Sequence, residues 1–493
     1  MNYRLLWNTI KHLKPTQVVY QVKNRLKKPA YVQLETPDSV KGKMATEPVP
    51  KYKCVEGNTF TFLNLEHEFA GWNFTENGML WAYNQNYFDW INQEGVSEEE
   101  GCKWIDKFIA ELPQNTVGLD PYPIALRSIN WVKFFCRYPE SATKQRLDSL
   151  FSQIKLLEKK LEYHLLGNHL LEDAYALYIG ASYFKDAKLL TKAKKLLVAQ
   201  LEEQILPDGA HYEQSPMYHC ILLDRLLDCI NINATHELEQ YAIKMLGHLE
   251  SVKWGVGDLP LLNDSANGIA PTTSQQFYYA KRLGLKWNKI PMKESGYRKM
   301  MAGGMEAIVD VGNLTATYQP GHTHADSLNY ELRIDGKPFV VDCGISTYNK
   351  TERRQYERGT AAHNCVVAYD RNSSEVWGGF RVGKRAKVIL EHELPQIDHE
   401  LPLIISATHN GYHKPCKRQF TMGKDKFIVE DWYDGEAVSY IHVAEGAGEE
   451  RVKVEGDANV VVKPWKYSTE YNRFKEGKEI KITFKNYLKY TIQ

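Results

Sequence analysis

The apolar pattern of this chain changes period once, near residues 295–305, and that change limits the folds open to it. From about Glu98 to Leu249 apolar residues recur at helical spacing, as in Leu147, Leu150, Ile154, Leu157 and Leu161, then Leu189, Leu190, Ala193, Leu196, Leu197 and Leu201. Short turns such as GNH and PDG separate these stretches, so successive helices are antiparallel neighbours in a bundle, a solenoid or a helical ring. Beyond Gly303 and Gly304 come short alternating or β-branched runs, among them EAIVDVG, LTATYQ, HNCVVAYD and AVSYIHVAE, with turn pairs such as Asp335-Gly336 between them. Such runs predict packed antiparallel sheets. A chain of 493 residues also exceeds what one core usually serves. The expected division is an N-terminal helix and connector over 1–55, a helical domain over 56–300 and a β domain over 301–493. The Pro-containing stretch from Thr36 to Cys54 reads as an extended connector.

Composition narrows the function. The chain is 43% hydrophobic and 25% charged with a formal net charge of +1, which excludes a general nucleic-acid binder and leaves any polyanion site as a local pocket. The eight cysteines form no CxxC pair and are expected to be mostly reduced and buried. No stretch is apolar enough to span a bilayer. Asn8, Lys11, His12 and Lys14 interrupt what a signal peptide would need as an apolar core, so the expected compartment is the cytoplasm, or the periplasm if a leader precedes the chain. Residues 1–30 carry seven Lys or Arg and no acid, which fits a membrane-surface helix. Docking of Leu5, Leu6, Ile10 and Leu13 on the protein body is the stronger reading. Trp72, Trp81, Tyr83, Tyr87, Trp90, Trp104 and Trp131 are platforms of the kind sugar rings use; most should be core, with two or three lining a cleft.

Three segments carry chemistry. QPGHTHADSLNYELRIDGKPFVVDCG with RGTAAHNCV gathers His322, His324, Asp342 and His363 at expected strand ends, and two imidazoles with a carboxylate are a common zinc ligand set. LLGNHLLED opens a helix at Gly167 and Asn168, with His169, Glu172 and Asp173 inside the first turn. ILPDGAHYEQSPMYHC places Tyr212, Glu213, Tyr218 and His219 around a new helix for which Ser215 is the cap and Pro216 the first residue.

Taken together, the GNH segment, the PDG and EQSPMYH segment, GHTHAD, the Asp342-Cys343-Gly344 segment and RGTAAHN resemble the heparinase II/III-like polysaccharide lyases, in that family's order. The resemblance runs from the middle of the helical half into the first third of the β half. It implies an α+β multidomain fold, an incomplete (α/α) toroid followed by an antiparallel β-sandwich, with an acidic polysaccharide bound between them. It also implies that Asn168 neutralises a uronate carboxylate, with His169 as rival. Tyr218 is then the catalytic tyrosine, with Tyr212 a weaker rival, and His322 shares proton transfer or carboxylate binding. His324, Asp342 and His363 become ligands of one structural divalent metal, zinc being the expected ion. Tyr212, Glu213 and Arg358 are expected beside the substrate.

The chemistry fits these roles. Eliminating across C4 and C5 of a uronate requires removing the C5 proton, and donors such as Asn168, His169 or His322 stabilise the enolate-like state that forms. A tyrosine within reach of both C5 and the leaving oxygen serves as base and then acid. Two rivals remain. A glycoside hydrolase would use two of Glu172, Asp173, Asp208 and Glu213. A non-catalytic glycan-binding protein of a polysaccharide biosynthesis system would keep the fold alone. Arg127, Arg353, Arg354 and Arg358 are candidates for sulfate or carboxylate binding, though ordinary structural charge explains each as well.

Overall fold

The computed structural model describes residues 3–26, 29–37, 41–393 and 401–493. Its helices are α1 (Tyr3–Ile10), α2 (Pro15–Leu26), α3 (Met79–Tyr87), α4 (Glu98–Glu111), α5 (Pro121–Arg137), α6 (Lys144–Leu157), α7 (Gly167–Phe184), α8 (Ala187–Gln204), α9 (Pro216–Asn233), α10 (His236–Val252), α11 (Thr273–Arg282) and the short α12 (Glu352–Glu357). A small sheet of β1 (Val55–Glu56), β2 (Thr59–Phe62) and β3 (Leu65–Glu68) precedes α3. The ends of the helices follow side-chain chemistry. Ser97, Asp186 and Ser215 each accept a hydrogen bond from a backbone N–H in the first turn of α4, α8 and α9, and Thr272 with Gln275 forms a capping box on α11.

Burial sorts the helices into two layers. Nearly every residue of α7 is buried, and α5 and α9 are almost as enclosed, whereas α8 buries one stripe, Leu189, Ala193, Leu197 and Leu201, at four-residue spacing. Each buried leucine of that stripe contributes about 2 kcal/mol of transfer free energy as an upper estimate. Trp72, Trp81, Tyr87, Trp90, Trp104 and Trp131 all lie in this core, so the aromatic platforms expected of the sequence reduce to the partly buried Tyr83 and a residue not anticipated, Tyr122. The connector runs extended along the helices: the Thr36, Gly42 and Thr46 amides donate to Asp148, the Tyr183 carbonyl and Asn231.

The strands of the second half are β4 (Tyr297–Ala302), β5 (Met305–Asp310), β6 (Tyr330–Ile334), β7 (Lys337–Val340), β8 (Val366–Val367), β9 (Val376–Trp377), β10 (Arg381–Val382), β11 (Val388–Glu393), β12 (Leu403–His409), β13 (Cys416–Met422), β14 (Phe427–Val443), β15 (Val452–Glu455), β16 (Asn459–Glu470) and β17 (Arg473–Ile492). All but β9 and β10 belong to one antiparallel sheet, whose main path is β11-β12-β13-β14-β7-β6-β5-β4, with β8 and β17 also on β14 and with β15 and β16 on β17. Separate packed sheets were expected; the sheet is instead continuous. The reason is the length of β14, whose first half pairs with β13 and whose end reaches β8 and β7, with an irregularity between Tyr433 and Glu436. The sheet curls so that Met300, Met305 and Val309 share one core with Phe420, Met422, Phe427 and Val429. All eight cysteines are free, and six are buried.

The halves meet along the segment between α10 and α11. The Leu261 amide donates to Glu331, the Asp264 amide to the His322 carbonyl, and the His324 amide to the Asn263 side chain. This seam holds the polar constellation described next.

Candidate active site

The turn that opens α7 builds one wall. Gly167 sits at φ +60°, and a Cβ there would come within 2.5 Å of the Glu213 carboxylate, so only glycine lets the turn close. Glu213 then accepts from the Asn168 amide at 2.9 Å and from its side-chain Nδ2 at 2.9 and 3.2 Å, placing a carboxylate at the N-terminus of α7, where the helix dipole favours negative charge. Asn168 Nδ2 also lies 3.3 Å from His322 Nε2.

From the β half, His322 enters between these groups and α9. Its Nδ1 is 2.9 Å from Asp264 Oδ2 and 3.1 Å from the Tyr348 hydroxyl, and its ring lies 3.9 Å from that of Tyr218, centroid to centroid. Asp264 accepts from Nδ1–H, and Nε2 faces the Asn168 amide and, at 3.6 Å, Glu213 Oε2. Tyr218 and Tyr348 hydroxyls are 3.2 Å apart, so Tyr348 joins Tyr218 to His322. Burial, the largest influence on both phenols, holds Tyr218 and Tyr348 above the usual tyrosine range.

Asp264 is the hub. Besides His322 it accepts from His324 Nε2 at 2.8 Å and from both terminal nitrogens of Arg354 at 2.5 and 2.8 Å, all in full burial. Burial would raise this carboxyl, but the Arg354 guanidinium and the two imidazoles outweigh it and hold Asp264 well below the ordinary aspartate range. Neither Asp264 nor Tyr348 was anticipated. Asp264 stands in LLNDSANG, where an Asn-Asp pair before Ser reads as an ordinary turn; Arg354, a candidate for sulfate or carboxylate binding, instead holds a carboxylate of the protein itself.

The metal candidates lie behind His322. Asp342, Cys343 and His363 bring ligand atoms within 4.8 Å of one another. His363 Nδ1 donates to Asp342 at 2.7 Å, and the ring of His324 lies 5.2 Å from that of His363. Two ring nitrogens here, His324 Nδ1 and His363 Nε2, are buried without a hydrogen-bond partner. The buried Asp342, Cys343 and His363 are therefore a donor set that could hold a metal, with the unpartnered His324 Nδ1 beside them. Burial lowers His324 to about 4, which makes it a neutral donor at pH 7. For His363, burial opposes protonation but the Asp342 carboxylate prevails and raises it. Cys343 is the weaker donor: burial first, then Asp342, keeps it a thiol, and its Sγ contacts the Gly344 and Glu357 carbonyls.

Other expected residues fall elsewhere. His169 turns from His322 toward Glu162 at 3.0 Å and Tyr122 at 4.8 Å between rings, along a wall that continues to Tyr87 and Tyr83. The Tyr212 hydroxyl bonds that of Tyr318 at 2.9 Å, buttressing the Gly167 turn. Arg358, expected beside the substrate, is fully buried, its guanidinium donating to the Thr323 and Arg381 carbonyls; it ties loops of the β half together. Arg127 is likewise buried, bonded to Gln153 and to the Asn86 and Gly118 carbonyls. Of the carboxylates a hydrolase would need, Asp208 accepts from the Lys293 and Ser295 amides and Asp173 from the Glu162 amide. Glu172 is fully buried, 3.7 Å from Arg225, and burial pushes it up to about 7.

Comparison with known proteins fits this layout. Residues 133–245 match the family described as heparinase II/III N-terminus, and residues 285–486 match the heparinase II/III-like C-terminal family. A curated heparin-sulfate lyase of Pedobacter heparinus is 23% identical over 335 residues, which are 59% of this chain and 48% of that protein, so the chain spans about half the length of the relative it matches. Among solved structures, a heparinase III superposes with a TM-score of 0.63 at 13% identity, covering 86% of this chain and 79% of that one. The heparan sulfate lyase HepC of Pedobacter heparinus gives 0.55 at 14% identity, covering 97% and 87%. At such identities these structures speak to the fold, and the two family matches decide the rest: the chain belongs to the heparinase II/III-like family.

Proposed function

We propose that this protein is a polysaccharide lyase that cleaves a uronic-acid-containing polysaccharide by β-elimination. The observation that carries the reading is the convergence of Asn168, Tyr218 and His322 from three separate segments onto one seam, with Tyr348 joining the last two. In this reading the helical half is an incomplete (α/α) toroid over 56–300, the β domain covers 301–493, and the chain lies across the seam. The Asn168 amide and His322 receive the uronate carboxylate and stabilise charge as C5 loses its proton. Tyr218 takes that proton and returns one to the leaving O4. Its phenol is held protonated in the free protein, so it acts as a base only after losing that proton to solvent as the bound carboxylate reorganises the cluster. The relative named heparin-sulfate lyase supports a glycosaminoglycan-type substrate.

One divalent ion, zinc by its donors, would be held by His324, His363 and Asp342. When bound it fixes the strand ends that present His322, a structural contribution. A hydrolase is disfavoured because Asp173 and Asp208 are engaged by backbone amides and Glu172 is enclosed. The test is a panel of uronate polysaccharides assayed for ultraviolet-absorbing unsaturated products. Elimination yields them and Tyr218→Phe abolishes them; new reducing ends without that absorbance would overturn the proposal.

A further inference from the structure

The two N-terminal helices present an anomaly that the proposed reaction does not use. Seven of the twenty-one exposed large hydrophobic residues among those described fall between Tyr3 and Leu26, a third of them in about a twentieth of the chain. Tyr3, Trp7 and Ile10 recur at i, i+4 and i+7 on α1, and Val18, Val19, Val22 and Leu26 follow a similar stripe on α2. These stripes point outward: Tyr3 is 79% exposed, Trp7 67% and Leu26 80%.

What faces the protein is largely polar. Asn8 donates to Glu375, Thr9 accepts from the Trp377 indole, Gln17 donates to the Leu165 and Tyr318 carbonyls, and Asn24 meets His164. Leu5, Leu6 and Leu13 are half-buried, so the docking expected of the sequence occurs, but Ile10 is not part of it. The helices are therefore held to the body by hydrogen bonds together with Leu5, Leu6, Leu13 and the Tyr20–Tyr163 ring contact, while a second apolar face stays open to solvent.

Charge selects the occupant. Arg4, Lys11, Lys23 and Arg25 are exposed around the stripes, and no acidic residue precedes Glu35. A protein partner would need a matching acidic and apolar surface; a bilayer rich in anionic lipid offers both in one plane. Trp and Tyr favour the headgroup level, valines and leucine the acyl boundary, and basic residues the anionic surface. We infer that α1 and α2 form an interfacial membrane-docking surface that lies flat on anionic lipid. No helix among the described residues is long and apolar enough to cross a membrane, so docking is peripheral. Gln17 bonds the Leu165 carbonyl, three residues before Asn168, so docking would set the cleft beside the lipid surface. The inference does not depend on the proposed reaction.

The full chain should co-sediment with mixed phosphatidylcholine and phosphatidylglycerol vesicles at low salt and not with pure phosphatidylcholine. Two double variants separate the contributions: Trp7→Ser with Val19→Ser removes apolar contact, and Arg4→Glu with Lys11→Glu reverses charge. Each should lower partitioning by at least about tenfold without shifting the melting temperature, since these side chains are exposed. Failure of the parent to bind anionic vesicles overturns the inference, as does binding that neither variant weakens. If the parent is instead a dimer in sedimentation velocity and the apolar variant a monomer, with no vesicle binding, a second copy covers this face and the inference is wrong. Cleavage of soluble polymer should be unaffected by either variant.

Discussion

Replacing Asp264 by asparagine tests the hub of the site. The carboxylate bonds Arg354 through two nitrogens and touches His322 and His324, with all four side chains nearly or fully buried. An amide of the same shape leaves the Arg354 cation without a counter-charge, and breaking a buried pair from one side costs about 3–5 kcal/mol. For 493 residues, an unfolding entropy of roughly 2.1 cal/mol/K per residue gives about 1 kcal/mol/K, so the expected fall in Tm is about 3–5 °C. Activity should fall more sharply, by roughly 10²–10⁴-fold in kcat, because Nδ1 of His322 loses the acceptor that fixes its tautomer. The pH dependence has a definite sign. Asp264 has a folded pKa below its unfolded value of about 3.9, so its stabilisation is complete above that pH and is lost as pH falls through the folded value. The gap in Tm between parent and variant should therefore hold from about pH 5 to 8 and narrow in acid. Pairing Asp264→Asn with Arg354→Met should recover much of the stability but not the rate. A single variant that melts within 1 °C of the parent and keeps its kcat would refute the reasoning, and so would a double variant with restored activity.

Further expectations concern neighbouring groups. Tyr348→Phe removes the hydroxyl between Tyr218 and His322 and should lower kcat by about 10–100-fold with KM little changed, read from initial rates of ultraviolet-absorbing product. Metal should be found by elemental analysis of the purified chain, and its removal by a chelator should lower Tm, as should His363→Ala; an unchanged Tm with no bound metal would dismiss the site. Glu172 has a folded pKa of about 7, above its unfolded value of about 4.3, so the folded state keeps a proton the unfolded state has lost and stability declines as pH rises across that interval. Glu172→Gln should flatten that decline in denaturant titrations at pH 5 and pH 8. Glu213→Gln weakens the hold on Asn168 and should raise KM for a uronate substrate more than it changes Tm.

The sequence by itself determined most of the elements and much of the chemistry; the run LTATYQ, expected as a strand, forms none, because Thr315 bonds Gln214 and the Tyr212 carbonyl of the helical half. The 3.6-residue period before residue 295 and the alternation after it set helices and strands, because each periodicity buries its apolar side in only one kind of element. The glycine at 167, the Ser215-Pro216 start of α9 and the histidines of GHTHAD are features that can be read locally, although the partners that set their chemistry, Glu213 and Asp264, are distant. What tertiary structure alone decided is which side chains meet. Asp264 lies 58 and 60 positions from its two histidines and 90 from Arg354, separations with no periodic signature, so its ordinary turn gave no sign of a hub. Arg354 and Arg358 are four residues apart and chemically alike, yet one completes the site and the other clamps carbonyls, since only the packing around each sets its partners. The same holds for the sheet: strand period fixes which face is buried, but whether two layers are separate or continuous depended on how far β14 extends past the end of β13.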